Sequence, residues 1–470
     1  MKTILNKTGI FLIPILLMAF LPSCLTYYQK QEQFSRAFAN GDFDKANQLL
    51  TKDKKAEKRK TKLLHFLNMG VVYHYTGQYA LSNEAFEKAY VIADTYHKNI
   101  LDESLALVSN PKVIEYKGED FELLQLHYFK ALNFLYLNDY EAALVECRRM
   151  NIKLNALNDK YQSNHRYRRD AFIQNLMGLI YDASGDANNA FIAYRNAYDI
   201  YKEDYSQLYN IQPPHQLKLD LLRAAANTGF YDQLEFYEKE FGFKYTNDIP
   251  KSSKQLILFW QNGLGPVKDE WSIDFTIIGG SDGWVYFNND FMGLSFPFYI
   301  GTGEEAKKQL GGLKIIRIAF PKYLERKPLY AGARAVTSNK SYELELAQDI
   351  NAIAFKSLED RMLREMGKAL MRLATKQAAE MALRKENQNA GMALGLVNAI
   401  SEQADTRNWQ TIPHSISYSR IILPENETTF QLEILAANQN TVKTITIEPK
   451  FNKGKTSFLM FHSLQSHLPL

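Results

Sequence analysis

Apolar and small residues recur at helical spacing along the first half of the chain. Counted from Gly178, the offsets 3, 7, 9, 12, 16 and 19 hold Tyr181, Gly185, Ala187, Ala190, Tyr194 and Ala197. The same pattern starts at Gly70 and Ala131, and weaker copies start at Phe34 and Leu222. Offsets 0 and 3 lie on one face of a first helix, offset 7 permits a turn, and offsets 12, 16 and 19 share one face of a second helix. The pattern predicts four or five helical hairpins within residues 24–248.

This spacing resembles the tetratricopeptide repeat, a helical hairpin that stacks into a solenoid because one hairpin cannot bury its own apolar face. The resemblance implies a concave surface suited to peptides or protein partners. The turn residues Gly41, Gly77, Asn138, Gly185 and Gly229 are 36, 61, 47 and 44 positions apart, whereas the family repeats about every 34 residues. We therefore expect an interrupted array, with the largest break around residues 101–118.

From Gln255 onward the apolar period changes to two, which indicates β-strands. Runs such as QLILFWQ, WSIDFTI and GWVYFNN are separated by Gly, Asn, Asp and Pro. A later run, TTFQLEILAANQNTVKTITIEP, predicts a hairpin that turns at residues 438–440. Residues 249–470 are therefore predicted to form an antiparallel β-rich domain. With the helical repeats, this makes the chain an α+β protein.

A long helix is predicted inside the β-rich half, over residues 345–403. Its apolar stripe runs from Ile350 to Leu373 at helical spacing. Basic residues recur at multiples of four along the same segment: Arg364, Lys368, Arg372 and Lys376. Together with the uncharged run AGMALGLVNAI at 390–400, this basic ridge is a candidate site for an anionic membrane surface or a partner. The alternative is an ordinary solvated helix face.

The N-terminus carries the marks of a secretory signal. Lys2 and Lys7 precede an apolar run that is about half the roughly 20 residues needed to span a bilayer. The run ends in LPSC, residues 21–24, which resembles the lipobox of bacterial lipoproteins. The resemblance implies cleavage after residue 23 and a lipid anchor on the thiol of Cys24. No acidic cluster follows Cys24, so we expect the periplasm-facing side of the outer membrane; the alternative is an ordinary signal peptide with an incidental cysteine.

Charge and cysteine content narrow the function classes. The formal net charge is +4 and falls to +2 without the two lysines of residues 1–23, which is too small a field to favour nucleic acid. Apart from Cys24, the chain contains Cys147, which falls on a core-facing position of a hairpin and is therefore expected to be a buried thiol. The chain also contains a basic cluster, which consists of Arg166, Arg168 and Arg169. This cluster is either a partner-binding site or a solvated loop.

The second half contains NGLGPVKDE (262–270), IRIAFPKY (316–323) and EQADTRNWQTIP (402–413). These segments resemble an uncharacterised family of bacterial lipoproteins that joins such repeats to a characteristic C-terminal domain. The family has no established activity. The resemblance therefore supports the architecture and leaves the function open.

Two stretches are candidates for chemistry. Gly301 to Ala306 fits a relaxed GxGxxG after a strand, although a plain loop fits the same residues. Asp405 lies close in sequence to Arg407 and His414, a set that suits acid–base work or a structural ion pair. Neither HExxH nor GxSxG occurs. We therefore predict a protein without enzymatic activity or cofactor.

The sequence supports two hypotheses of function. In the favoured one, lipid on Cys24 anchors an interaction scaffold, the repeats hold an envelope protein, and the β-rich half docks onto an envelope assembly for secretion, polysaccharide or cell wall. The alternative is an envelope glycan-binding protein or hydrolase with its site in the β-rich half. A deep polar pocket in the β-rich half would favour the second hypothesis, and an open groove along the repeats would favour the first.

Overall fold

Helical hairpins form the first half of the protein. The computed structural model describes residues 31–98, 114–161, 167–247, 253–279, 284–299, 315–386, 404–424, 426–451 and 456–467. Helices α1 to α10 span residues 31–39, Phe43–Thr51, Lys62–Tyr75, Tyr79–Lys98, Asp120–Tyr136, Tyr140–Tyr161, Ala171–Ser184, Ala187–Ile200, His215–Thr228 and Tyr231–Phe241. A π-helical turn, Tyr201–Tyr205, extends α8. The predicted tetratricopeptide-like hairpins are confirmed as α1–α2, α3–α4, α5–α6, α7–α8 and α9–α10.

The recurring spacing of small, turn and aromatic residues has a direct structural cause. All five predicted turn residues adopt positive φ, between 59° at Asn138 and 86° at Gly185. At offset 0, an added Cβ on Gly178 would lie 2.4 Å from Cδ1 of Tyr194, and one on Gly70 would lie 2.5 Å from Cε1 of Phe86. The aromatic ring at offset 16 therefore packs directly on the backbone of the first helix, which only a very small residue allows.

Three four-stranded sheets make up the described part of the second half. Strands β1 to β12 span Lys254–Asn262, Val267–Gly279, Trp284–Asn289, Leu294–Tyr299, Ile315–Leu324, Gly332–Val336, Ser341–Glu343, Glu345–Asp349, Ser415–Leu423, Phe430–Leu435, Thr441–Ile447 and Thr456–Ser463. We call β12-β1-β9-β8 the central sheet, β11-β10-β6-β7 the outer sheet and β4-β3-β2-β5 the wing sheet. The strand pairs are antiparallel, as predicted, except that β1 and β12 run parallel.

The central sheet is buried on both faces. Ile257 and Phe259 of β1 belong to the apolar core of the helical half. Leu256, Leu258 and Trp260 of the same strand pack with apolar residues of the outer sheet. A strand covered on both sides needs no polar face, which explains its unbroken apolar run. Repeats, central sheet and outer sheet are therefore three packed layers.

Helix α11, Ile350–Glu386, covers one face of the wing sheet. Met366 and Leu370 are buried against apolar residues of β2, β3 and β5. Nearer its start, Ile350 and Ile353 join the core of the helical half. The helix therefore connects the wing sheet to the repeats, and it leaves the opposite face of the wing sheet exposed to solvent.

The long helix starts later than predicted. Residues 345–349 were expected to be helical, but they form β8 and pair with β9 at the edge of the central sheet. The carboxylate of Asp349 accepts a hydrogen bond from the backbone N–H of Ala352 at 2.7 Å, which caps the first turn of α11. Pairing in the sheet and this cap together set the start of the helix. Residues 387–403 of the predicted helix lie outside the described residues.

Candidate interaction surfaces

The central sheet covers the face of the array that the first helices form. The hydroxyl of Tyr75 on α3 donates to Gln261 of β1 at 2.7 Å, and the Gln261 amide donates to Tyr128 on α5 at 3.3 Å. Phe172 on α7 meets Phe259 edge-to-face, with ring centroids 5.9 Å apart. Strand β1 thus contacts three successive first helices. This face of the array is occupied by the chain's own sheet, so the open groove that was expected along the repeats is not present on the first helices that the structure describes.

A buried charge network joins the repeats to β9 of the central sheet. Arg420 donates from Nε to Asp220 at 2.8 Å and from Nη2 to Asp182 at 2.7 Å. Arg223 donates from Nη2 to the same two carboxylates, at 2.8 and 2.5 Å. Burial alone would raise the pKa of Asp182, but Arg420 and Arg223 bring it below its ordinary value. Two positive and two negative charges balance, so the network tolerates its burial.

A second buried network joins α5 to β2 and α11. Glu119, the N-cap of α5, binds Lys268 and Arg361. Burial opposes the charged form of Glu119, yet Arg361 and Lys268 lower its pKa to about 2. One turn on, Glu122 accepts a hydrogen bond from the backbone N–H of Trp409 at 2.6 Å. Burial, with the nearby negative charge of Glu119, raises the pKa of Glu122 to about 7. Both carboxyl groups therefore have their hydrogen-bonding and ionic partners within this chain.

The basic cluster at residues 166–169 lies between α6 and α7. Arg168 and Arg169 are exposed, and Arg166 lies outside the described residues. Arg169 donates from Nε to Asp204 at 2.9 Å and from Nη2 to Glu203 at 2.8 Å. Its guanidinium therefore has acidic partners within the chain. A partner-binding role for this cluster stays a prediction.

The first two residues of the basic ridge lie on the side of α11 that faces away from the wing sheet. Arg364 and Lys368 are exposed, Arg372 is half-buried, and the side chain of Lys376 lies outside the described part of the molecule. Leu363 beside them is exposed as well. Over the residues that the structure covers, no helix has both the length and the apolar character needed to cross a bilayer. Binding of a membrane or partner by this ridge stays a prediction.

The acid–base candidates do not form one group. Arg407 donates from Nε to Asp405 at 2.8 Å, and its Nη1 donates to the backbone carbonyl of Ile114 at 2.9 Å. His414 instead places Nε2 3.0 Å from a carboxylate oxygen of Glu325. The ion pair therefore ties the β-rich half to the segment before α5, and the histidine belongs to another contact.

Three further candidates complete the sequence-based set. Cys147 is fully buried in α6, and burial raises the pKa of its thiol, which confirms the expected buried cysteine. Cys24 and the stretch from Gly301 to Ala306 lie outside the described residues. Among the residues described, no group of three or more His, Cys, Asp or Glu side chains is arranged to hold a metal ion.

Exposed apolar side chains recur on the outward-facing second helices, and the sequence analysis missed them. Val91 and Ile152, 54% and 67% exposed, both lie 21 positions after the start of their hairpin patterns. Val145 and Ile192 share offset 14. Equivalent offsets lie on the same side of a stacked array, and we call these four residues the outer stripe. The sequence did contain a signal for this surface: apolar residues stand at offsets 14 and 21, which are not among the core-facing offsets of the hairpin pattern.

A second exposed surface lies on the wing sheet, on the face opposite α11. Trp284 pairs with Tyr299 across β3 and β4, and their ring centroids are 5.5 Å apart. Tyr286 pairs with Pro297 on β4 and with Ile278 on β2. We call these five residues the aromatic face. The sequence signal was GWVYFNN, in which both alternating sets of positions are apolar although only one set can face α11.

Comparison with known proteins adds no family assignment. No protein-family model and no curated protein matches the chain. Among solved structures, MamA is 19% identical over 45% of this chain and 88% of its own, with a TM-score of 0.30. The apo form of RapI is 17% identical over 50% and 58%, with a TM-score of 0.34. A kinesin light chain with nearly identical TPR-like repeats from Podosopora anserina is 15% identical over 45% and 91%, with a TM-score of 0.30. At these values the likenesses carry no functional argument, and the surfaces of the chain itself provide the functional evidence.

Proposed function

We propose that this protein is a lipid-anchored scaffold on the periplasmic side of the bacterial outer membrane and that it holds an envelope protein on its outer stripe. The observation that carries the proposal is that Val91, Val145, Ile152 and Ile192 are exposed apolar residues at two recurring offsets of three hairpins. Apolar side chains gathered at equivalent positions mark an interaction site, whereas single scattered ones do not. The lipobox-like LPSC at 21–24 supports the anchor.

The partner site of the repeats is assigned to the outer stripe because the opposite face is filled. Contacts from β1 and β9 to the first helices occupy that face, as the hydrogen bonds of Gln261 and Arg420 illustrate. A row of aliphatic side chains on a helical surface suits the apolar face of an amphipathic helix. We therefore expect the partner to present such a helix.

A scaffold must also hold its binding surfaces at fixed positions. The Arg420 and Glu119 networks join the repeats to the central sheet, to β2 and to α11 through buried ion pairs. Separating these layers would leave buried charges without partners, which is costly. These networks therefore join the repeats to the β-rich half, and the lipid on Cys24 would hold both at the membrane.

The test is crosslinking of the full-length protein in whole cells, followed by identification of the proteins attached to it. Ile152→Glu places a charge in the outer stripe and should abolish the attachment of an envelope protein that the wild type captures. Val442→Glu is the matched control, since Val442 is 54% exposed on β11 of the outer sheet. It should leave the capture unchanged.

Cys24→Ala tests the anchor separately. It should abolish incorporation of labelled fatty acid and release the protein from the membrane fraction. Equal capture by the wild type and Ile152→Glu would refute the outer stripe as the partner site. Lipid incorporation that persists in Cys24→Ala would refute the anchor.

A further inference from the structure

The exposed face of the wing sheet is ordered in rows that change from apolar to polar. Residues in register across the strands form four such rows: Tyr299 with Trp284; Pro297 with Tyr286 and Ile278; Ser295 with Asn288, Thr276 and Ile315; and Asp274 with Arg317. Successive rows are about 7 Å apart, because they are two residues apart along a strand. The first two rows carry the aromatic face, and the last two carry amide, hydroxyl and charged groups together with Ile315 at the β5 edge.

The apolar rows are exposed to an extent that is unusual for a sheet with one face in solvent. Tyr299 is 60% exposed and Trp284 is 41% exposed. An antiparallel sheet of this kind ordinarily turns polar side chains to water. Here the large apolar side chains lie on three neighbouring strands, so they form one contiguous patch, which is the mark of a binding surface.

The charge of this face selects the kind of ligand. Asp274 and Arg317 are its charged members in these four rows, and they neutralise each other through hydrogen bonds of 2.9 and 3.3 Å. A net charge of zero offers no attraction to anionic lipid headgroups or to phosphate backbones, both of which bind to clustered Lys and Arg. The complementary ligand is uncharged, with apolar faces and hydrogen-bonding edges.

We propose that the exposed face of the wing sheet binds an uncharged stretch of polysaccharide chain, a proposal that rests on the proposed function as an envelope scaffold. A sugar ring presents its C–H groups on its two faces and its hydroxyl groups at its rim. The C–H faces stack on Trp284, Tyr286 and Tyr299, and the rim hydroxyls reach the polar row. There the Asn288 amide and the Ser295 hydroxyl lie 2.7 Å apart and provide both donors and acceptors.

The spacing of the rows suits a chain rather than a single sugar. From the first row to the third the face extends over about 14 Å, since each row adds about 7 Å. One sugar ring covers only one of these rows. We therefore expect affinity to rise with the length of the oligosaccharide until all three rows are covered.

The experiment is titration of the purified full-length protein with neutral chitin and linear glucan oligosaccharides of two to six units. Trp284 is the reporter, because Trp260 and Trp409 are buried and Trp271 lies on the α11 side of the sheet. The expected result is a saturable change in tryptophan emission, with an affinity that increases with length. Isothermal titration calorimetry gives the affinity of variants that lack the reporter.

Two variants and one control decide the outcome. Trp284→Ala and Tyr299→Ala should each weaken binding by about tenfold or more, which corresponds to a loss of about 1.4 kcal/mol. Tyr231→Ala removes a tyrosine from α10 that is 72% exposed, more than Tyr299, and should bind like the wild type. The absence of binding to every oligosaccharide, or unchanged binding by Trp284→Ala and Tyr299→Ala, overturns the proposal.

Failure of this proposal can be told apart from failure of the scaffold function. Capture of an envelope protein depends on Ile152, on another surface, and is measured in cells without added glycan. If crosslinks from a photoreactive residue at position 299 lead to a protein rather than to polysaccharide, the glycan proposal falls and the scaffold function stands.

Discussion

Replacement of Arg420 by leucine should destabilise the folded protein by about 3–5 kcal/mol. The Arg420 side chain is 2% exposed and donates to Asp220, Asp182 and Gln255. Without it, two buried carboxylates share the single remaining cation, Arg223. One negative charge then lacks a partner in a largely buried site, where Asp220 is 1% and Asp182 17% exposed, and such a charge accounts for the magnitude. Leucine fills part of the volume but offers no hydrogen bond.

Urea unfolding, followed by tryptophan fluorescence and by far-ultraviolet circular dichroism, measures this loss. Arg317→Leu is the matched control, because it breaks an ion pair on the exposed face of the wing sheet, where solvent screens the charges and little change is expected. Combining Arg420→Leu with Asp220→Leu should restore part of the lost stability, since the unpaired charge disappears as well. A loss below about 1 kcal/mol for Arg420→Leu, the range of an exposed pair, would refute the reasoning.

Three further predictions follow from single buried residues. Gly178→Ala should lower the urea midpoint, because a Cβ 2.4 Å from the ring of Tyr194 costs about 1–3 kcal/mol in overpacking, which exceeds the gain in helix propensity of about 1 kcal/mol. The pKa of Glu122 is about 7 in the folded state against an ordinary 4.5, so folding favours its protonated form. The free energy of unfolding should therefore fall as pH rises from about 4.5 to 7, and Glu122→Gln should remove this fall. Cys147 should react with a thiol reagent only after unfolding, because its sulfur is buried and the pKa of its thiol is raised.

Each of these has an outcome that contradicts it. A higher midpoint for Gly178→Ala would mean that the Tyr194 ring moves aside freely. A pH dependence that persists in Glu122→Gln between about pH 4.5 and 7 would assign it to another group. Labelling of Cys147 at the same rate in native buffer and in urea would mean that α6 opens readily.

The hairpins were predictable from the sequence because their determinants are local. A turn residue with positive φ and a small residue opposite an aromatic one lie within 20 positions of each other, as Gly178, Gly185 and Tyr194 do. The strand runs β1 to β5 and the β10–β11 hairpin were predictable for the same reason, since alternation and turn residues act over a few positions. Candidate sites that depend on residues far apart in the chain could not be predicted in this way.

What the sequence analysis missed depends on contacts between distant segments. The short strands β6, β7 and β8 exist because neighbouring strands satisfy their hydrogen bonds, and five residues of β8 otherwise resemble the start of a helix. The covering of the first helices was missed because it is made by β1 and β9, which lie far from the repeats in the sequence. One signal was present: Arg420 alternates with Ile416 and Tyr418 on one side of β9, and a charged residue on such a side requires a buried partner elsewhere in the chain.

The parallel pairing of β1 with β12 also governs how the protein is made. The ribosome synthesises the repeats first and β1 soon after, yet the strand that closes the other side of β1 comes some two hundred residues later. Until residues 456–463 emerge, β1 has an open edge, and the apolar face of the repeats has an incomplete cover. Such late, long-range pairing makes folding slow and leaves the nascent chain prone to aggregation. Chains truncated before residue 456 should therefore expose the edge of β1 and aggregate more readily than the full chain, and chaperones that shield exposed apolar surfaces should bind them more strongly.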